Sequence, residues 1–310
     1  MQLVKPDINV NFVGRRKLAL ALSILLILVG LVSLLVQGGP NYGIDFSGGT
    51  LVQVQFAKPT DAAGIKAALD DPSLGSVVVQ RFGDDSSEFL IRTQNVSGGL
   101  GRLSDLIGAS LSKSYGEAQV DIRRVEMVGP QVGKDLREKG LMAVLYAMVG
   151  ILIYVSWRFE FRFAVGAVIA LIHDVLITLG LFSLFGKEID LPIIAAFLAI
   201  IGYSLNDTII VYDRIRENMA RHGREGFAAV VNRSINETLS RTILTSGTTL
   251  LVVLALFFLG GGVIHNFAFA LLAGIVVGTY SSIFVASPIL ILWDQRRKKN
   301  AAPVQAQEGN

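Results

Sequence analysis

Hydrophobic and polar positions are distributed along this chain in long blocks. Leu18 to Val36 and Leu141 to Trp157 carry no charge. Phe163 to Phe185 carries only His173 and Asp174, and Leu191 to Tyr212 only Asp207. Thr242 to Leu259 is again free of charge, and Gly260 to Trp293 holds only His265. About 20 apolar residues at a rise of 1.5 Å cross a hydrocarbon core of roughly 30 Å. The blocks therefore predict six transmembrane helices. Six helices of a soluble core would each keep a charged face towards water, and these runs have none.

The stretch between the first two spans follows a different pattern. Leu51 to Phe56 alternates, with Val52, Val54 and Phe56 against Gln53 and Gln55, which predicts a strand beginning near Ile44. Thr60 is placed to cap a short helix through Leu69. Val77 to Phe82 and Glu88 to Gln94 read as strands joined by the turn Gly83-Asp84-Asp85-Ser86. Leu100, Leu103, Leu106, Ile107 and Leu111 share one helical face, and Val120 and Ile122 open a last strand running towards Met127. The order β-α-β-β-α-β predicts a ferredoxin-like α+β domain. The alternation slips after Ile122, so this strand should be bulged or short. Gly129-Pro130 closes the domain, and Gln131 to Gly140 reads as a polar helix leading into the second span.

The predicted organisation is a polytopic α-helical membrane protein with a ferredoxin-like α+β extracytoplasmic domain. Residues 1–17 form a cytoplasmic N-terminus and 18–36 the first span. Residues 37–140 form the external domain with its connector, 141–293 the other five spans, and 294–310 a cytoplasmic tail, disordered from Asn300. Lys and Arg set the orientation. Lys5, Arg15, Arg16 and Lys17 precede the first span, and Arg158 and Arg162 separate the second from the third. Arg214, Arg216, Arg221, Arg224 and Arg233 separate the fourth from the fifth, and Arg296, Arg297, Lys298 and Lys299 follow the sixth. With six spans all four groups fall on one side, which puts both termini in the cytoplasm. The first span is too long for a signal-peptide core, and Val36-Gln37-Gly38 is a poor cleavage site, so it reads as a retained anchor.

Composition agrees with this picture. Of 310 residues 52% are hydrophobic and only 17% charged, against roughly 25% charged in soluble domains. Cys is absent, which excludes disulfides, thiolate metal sites and Cys nucleophiles. A net charge of +3 is too small and dispersed to argue for nucleic acid. No phosphate-binding loop is present: Gly129-Pro-Gln-Val-Gly133-Lys134-Asp135 has the wrong spacing and ends in Asp. Neither a dinucleotide fingerprint nor a zincin motif occurs. Ser110-Leu-Ser-Lys113 formally matches a Ser/Lys hydrolase motif but sits on the polar side of a predicted helix without companion motifs. The chain reads as a non-enzyme without cofactor, whose work is driven by an ion gradient or a partner.

The polar residues left inside the spans are then the informative ones, because an ionised group at mid-bilayer costs from about 3 to above 10 kcal/mol. Asp174 lies near the centre of the third span beside His173. Asp207 lies in the cytoplasmic half of the fourth. Tyr203, Asn206, Asp207 and Ile210 share a helical face, as do Arg241, Thr245 and Thr248 of the fifth span. Asp207 and Arg241 fall at comparable depth on antiparallel helices. They can pair when the carboxyl is ionised and part when it is protonated, which would make a proton relay. A static buried pair, with Arg241 as the last positive-inside residue, is the structural alternative. Asp174 with His173 is either a second relay or an inter-helix hydrogen bond. His265, after Gly260-Gly261-Gly262, should face water, and with His173 and Asp174 it makes no metal set. Asp213, Arg214, Arg216 and Glu217 read as a solvated charge run. Gly274 and Gly278 form a small-xxx-small surface, packing either within the bundle or between subunits.

Several segments together resemble one family. Gly43-Ile-Asp-Phe-Ser-Gly-Gly-Thr50 and Val128-Gly-Pro-Gln-Val-Gly133 are similar to signatures of the SecD/SecF proteins. So are His173-Asp174, Ile201-Gly-Tyr-Ser-Leu-Asn-Asp-Thr208, Tyr212-Asp-Arg-Ile-Arg-Glu-Asn218 and Ser240-Arg-Thr-Ile-Leu-Thr-Ser-Gly-Thr-Thr249. The likeness runs from the first span to about Trp293, and the single small external domain fits the partner of SecD rather than SecD itself. The resemblance implies a resistance-nodulation-division fold, pairing with SecD into two six-span halves, and association with the SecYEG channel and YajC in the bacterial inner membrane. It implies assistance to preprotein export by the proton-motive force, with protons as the coupling ion, and it matches the family's membrane-embedded Asp and Arg to Asp207 and Arg241. A proton-driven small-molecule exporter and a structural translocon scaffold are the competing expectations.

Overall fold

The computed structural model describes residues 9–72, 74–75, 77–82, 87–93, 99–222 and 225–305. Lys5, the turn at Gly83 to Ser86, Gln94 and Arg224 lie outside the described residues, as do residues 306–310. Among the described residues six helical segments are long and apolar enough to cross a membrane. They are α1 (Arg16–Val36), α5 (Pro130–Arg158), α6 (Phe161–Leu184), α7 (Leu191–Arg221), α8 (Phe227–Leu259), and α9 (Gly261–Ser281) continued by α10 (Ser287–Gln305). A π-helical turn, Ser282–Ala286, joins α9 to α10. α6, α7 and α9 pack together as the inner helices, while α1, α5 and α8 present most of their apolar residues outward. Those outward faces are what a bilayer covers. The tail departs from expectation: α10 runs through Asn300 to Gln305. Arg296, Arg297, Lys298, Lys299, Ala301 and Ala302 all favour helix, which carries it past the apolar segment.

Between α1 and α5 lies the soluble domain. β1 (Gly49–Phe56), β2 (Val77–Arg81), β3 (Glu88–Thr93) and β4 (Val120–Val128) form one antiparallel sheet in the order β2-β3-β1-β4. α3 (Ala62–Ala68) and α4 (Gly99–Tyr115) connect β1 to β2 and β3 to β4. This is the split βαβ arrangement of a ferredoxin-like fold. The inward residues of β1 and β3 meet Ile65, Leu103, Ile107 and Leu111 in one buried cluster. The slip in β4 is a bulge: Gln53 pairs with Arg124 and Val54 with Ile122, leaving Arg123 as the extra residue. Two local expectations change. Asp61, not Thr60, caps α3, its Oδ1 accepting the Gly64 amide at 3.0 Å. The segment from Ile44 opens as a helical turn, α2 (Ile44–Ser47), and β1 starts only at Gly49. Gly48 causes the switch, because its φ of 71° closes α2 in a left-handed conformation that favours glycine.

Gly48 also fixes how the domain meets the membrane helices. A Cβ on it would lie 2.8 Å from Cα of Pro130, and one on Gly133 would lie 3.0 Å from the Gly48 nitrogen. The two glycine-containing segments picked out from the sequence therefore form one junction, where the entry to β1 crosses the first turn of α5. The lead-in to the second span is not a separate helix, since α5 is continuous from Pro130.

A second joint ties the domain to the start of α7. Gly43 N donates to Ile189 O at 2.8 Å and Ile189 N to Asn41 O at 2.7 Å, forming a parallel bridge between Tyr42 and Ile189. Arg92 of β3 pairs with Glu188 and donates to Tyr42 O. Asp190 caps α7 by accepting the Ile193 amide at 3.1 Å, and Asp45 accepts the Leu191 amide at 2.9 Å. Two carboxylates thus share one helix start. Burial pushes the Asp190 carboxyl above its ordinary range, and the charge of Asp45 adds to this against the hydrogen bond from Ile193.

Two outcomes follow from these joints. Gly48→Ala forces a non-glycine residue into a positive-φ conformation essentially confined to glycine, at about 1–3 kcal/mol, plus a backbone clash. It should lower the thermal midpoint of the detergent-solubilised protein, whereas Gly150→Ala, whose Cβ meets nothing within 4 Å, should leave it unchanged or higher. Because the folded Asp190 carboxyl binds its proton more tightly than an unfolded one, its contribution to stability falls as pH rises through the folded-state value. Asp190→Asn keeps an N-cap, removes the like-charge contact and should flatten that pH dependence in thermal scans.

Candidate functional site

The site is built where the three inner helices touch, and small residues allow it. A Cβ on Gly278 of α9 would stand 2.9 Å from the Ser204 Cβ of α7, and one on Gly274 would stand 2.3 Å from Ile200. The Gly274/Gly278 surface is thus spent inside this bundle. Such close approach puts side-chain hydroxyls of one helix within reach of carboxyls on the next, in a setting without water to satisfy them.

Asp207 is 3% exposed. Its Oδ1 accepts from Thr242 Oγ1 of α8 at 2.8 Å and its Oδ2 from Ser282 Oγ of the π turn at 2.6 Å. No ion pair joins it to Arg241 among the described residues. The pairing expected for the ionised carboxyl is not made as a direct contact here, although Arg241 is near enough to act on the Asp207 charge. Consecutive helix residues are about 100° apart, so with Thr242 buried against Asp207, Arg241 is turned to the exposed face of α8. Thr248 is exposed beside it, and Thr245 is partly so. Both threonines donate back to their own helix, Thr245 to Arg241 O at 3.0 Å and Thr248 to Leu244 O at 2.9 Å. Asn206 likewise points outward, and Tyr203 donates to Thr249 Oγ1 at 3.4 Å rather than towards Asp207.

Asp174, 1% exposed, is held more completely. Its Oδ1 lies 2.9 Å from His173 Nδ1, and its Oδ2 accepts from Ser204 at 2.5 Å and Ser281 at 2.8 Å. His173 Nε2 lies 2.9 Å from Ser23 Oγ of α1, which lies 3.1 Å from the Tyr280 hydroxyl. Tyr280 donates to Ala19 O at 2.6 Å, and its ring stacks on His173. The His173–Asp174 pair therefore links α1, α6, α7 and α9. Of the remaining sequence candidates, His265 does not face open water: it is half-buried against Phe257, 3.2 Å from that residue's carbonyl. The charge run near Asp213 is a network across α7 and α8, with Arg214 bonding Glu217 at 2.5 Å and Glu237 at 2.6 Å.

Ser23, Ser204, Thr242, Tyr280, Ser281 and Ser282 are the site residues that the sequence reading passed over. Their signal was faint but present. Thr279-Tyr280-Ser281-Ser282 is a polar run inside a largely apolar span, and Ser204 precedes Asp207 by one helical turn. The π turn had no sequence signature, though such turns are frequent at functional sites.

A ferredoxin-like domain inserted after the first of six spans, beside a bundle with two buried carboxyls, defines a multi-pass membrane protein with a soluble domain. The family model of the SecD/SecF C-terminal export membrane protein matches residues 108–296, and that of the SecD/SecF GG motif matches residues 32–60. The chain belongs to the SecD/SecF family, and within it stands with the SecF subunits. It is 52% identical to the protein translocase subunit SecF of Magnetococcus marinus, over 99% of both chains. It is 46% identical to that of Vibrio alginolyticus, over 99% of this chain and 97% of the relative. Among solved structures, SecDF of Thermus thermophilus, a translocon-associated membrane protein, superposes with a TM-score of 0.86 at 38% identity. The match covers 94% of this chain but only 40% of that one. A SecDF structure in a super-membrane-facing form gives a TM-score of 0.72 at 40% identity, over 98% of this chain and 41% of that one.

Thr242→Val keeps the shape of the side chain and removes a donor from a buried carboxyl, at about 1.5–3 kcal/mol. Its destabilisation in detergent unfolding should shrink when Asp207→Asn is already present. Equal losses in both backgrounds would show that the hydroxyl acts independently of Asp207.

Proposed function

We propose that this chain is the SecF half of a proton-driven export device in the bacterial inner membrane, paired with a SecD half and assisting preproteins through the SecYEG channel. Both termini are cytoplasmic, and the ferredoxin-like domain is outside. The carrying observation is Asp207: a carboxyl sealed from water between α7, α8 and the π turn, on the same helix whose start is bonded to the external domain. Proton uptake neutralises the group and changes which hydroxyls it can hold. Any resulting shift of α7 reaches the domain through Ile189, Asp190 and Glu188. The domain holds an emerging chain and opposes backsliding.

Arg241 completes this reading from the outside. A guanidinium, an amide and threonine hydroxyls on a helix face within the membrane are costly against lipid. Arg241, Asn206, Thr245 and Thr248 are accordingly the face to which the SecD half docks, and Arg241 joins Asp207 in the relay once that half closes the path. YajC is a further companion of the assembled complex, and neither cofactor nor enzymatic reaction is involved. A small-molecule exporter is less well supported. The cavity of about 420 Å³ is at the domain junction beside Arg92, and the groove of about 440 Å³ along α1 from Leu28 to Gln37 is lined chiefly by aliphatic side chains, with no charged group to recognise a polar substrate.

The test is preprotein export into gradient-bearing vesicles containing the SecD partner and SecYEG. Asp207→Asn should abolish the gradient-dependent part of export and spare the ATP-driven part. Normal gradient dependence from an assembled Asp207→Asn complex would overturn the proposal.

A further inference from the structure

His173, Asp174, Tyr280 and the serines between them are not used by the relay just described, yet they form the most completely bonded polar cluster in the membrane helices. His173 is 5% exposed, Asp174 1%, Ser23 2%, and Ser204, Ser281 and Ser282 at most 1%. A hydroxyl has one proton to give, and several hydroxyls here have two acceptors within range. Ser281 Oγ lies 2.8 Å from Asp174 Oδ2 and 3.1 Å from Gly278 O. Ser282 Oγ lies 2.6 Å from Asp207 Oδ2 and 3.0 Å from Thr279 O. Ser23 Oγ lies between His173 Nε2 and the Tyr280 hydroxyl.

We propose that His173 and Asp174 form a second proton-binding site, coupled to Asp207 through the adjacent hydroxyls of Ser281 and Ser282. This rests on the proton-coupled reading above and extends it to α1 and α6. With Asp207 ionised, Ser282 donates to it. When Asp207 takes a proton, its O–H donates to Ser282 Oγ, and the Ser282 proton turns to Thr279 O. Ser281 is the next residue and faces the same choice between Asp174 and Gly278 O. The backbone there is open to such a change, because Ser282 begins the π turn and its carbonyl is held by Ser287 Oγ at 2.9 Å. On the other side, neutral His173 donates from Nδ1 to Asp174 and accepts at Nε2 from Ser23. A protonated His173 donates from Nε2 to Ser23, whose proton turns to the Tyr280 oxygen, while Tyr280 keeps its bond to Ala19 O. Each state leaves every group bonded, and each proton has a defined place. The ionisable groups facing the pair are His173 beside Asp174 and, from α9, Tyr280, which stacks on His173; α1 contributes Ser23, and α7 contributes Ser204, one turn before Asp207.

The experiment is infrared difference titration of buried carboxyl groups in the reconstituted complex with the SecD partner. The wild type should show one titrating carboxyl band lost in Asp207→Asn and, as His173 takes up its proton, a shift of the Asp174 carboxylate band that is absent in Asp174→Asn. Removing the Asp207 charge should lower proton affinity at the His173–Asp174 pair by about tenfold, the scale of interacting sites. In Ser281→Ala/Ser282→Ala that response should vanish. An Asp174→Asn spectrum matching wild type overturns the second site, and a band unmoved by Asp207→Asn overturns the coupling. Should Asp174→Asn fail to assemble, nitrogen-15 histidine resonances of the otherwise intact chain decide. The other two histidines, His222 and His265, are removed for assignment, and a His173 signal that never changes protonation refutes the proposal. Export unaffected by Asp207→Asn would end the export mechanism alone, because the infrared bands are read without transport.

Discussion

A carboxyl group inside a bilayer has no water to turn to, and the architecture of this bundle answers that constraint. Each carboxylate oxygen must be met by protein, and the donors come from neighbouring helices. Asp207 takes its hydroxyls from α8 and the π turn; Asp174 takes its partners from α6, α7 and α9. At roughly 1.5–3 kcal/mol per bond to a charged group, two or three donors offset much of the burial cost. They do so only when helices approach closely enough for short side chains to reach. The near-contact of Gly278 with Ser204 and of Gly274 with Ile200 is therefore a condition of the site. A longer side chain there would part α7 from α9 and strand Asp174.

The same economy shapes the link to the soluble domain. Hydrogen bonds from loop backbone join Asn41, Tyr42 and Gly43 to Ile189, beside a buried apolar cluster in which Tyr42 and Phe46 pack with Ile189 and Ile193. The backbone bonds define direction and register, and the apolar contact adds cohesion. A displacement of α7 along its axis is carried to the domain through its capped N-terminus, where Asp45 and Asp190 both hold first-turn amides. The Gly48/Gly133 crossing pins the other side of the domain to α5. The domain is thus tied to α7, the inner helix bearing Asp207, and to the outer helix α5, besides its chain connection from α1.

Much of this was legible in the sequence, for identifiable reasons. The six spans could be read because charge is excluded from them, and the domain because period-two and helical patterns alternate in ferredoxin-like order. The slip after Ile122 was visible too, because an extra residue shifts the inward set by one, but whether it meant a bulge or a short strand took the register at Arg123 to decide. Asp207 and Asp174 could be found because ionised groups in apolar runs are rare. Their partners could not, since serine and threonine satisfy themselves on the preceding turn as readily as they serve a neighbour. Thr245 and Thr248 do the former and Thr242 the latter, although all three lie within two turns of one helix. Depth alone suggested that Arg241 faces Asp207; the helical phase, which depth does not report, put Thr242 there instead.

That phase difference bears on how a proton could reach Asp207. With Thr242 inward and Arg241 outward, one residue separates the hydroxyl that holds the carboxylate from the cation on the exposed face. A rotation of α8 by about 100°, one residue's worth, would exchange them. Such an exchange is costly while Arg241 faces hydrocarbon and much less so when another polar protein surface covers it. The bundle described here is thus complete in its packing and incomplete in its electrostatics. The hydroxyl-bonded state is the one this bundle holds, and under the proposed mechanism a guanidinium-paired state calls for a polar partner surface against Asn206, Arg241 and Thr248.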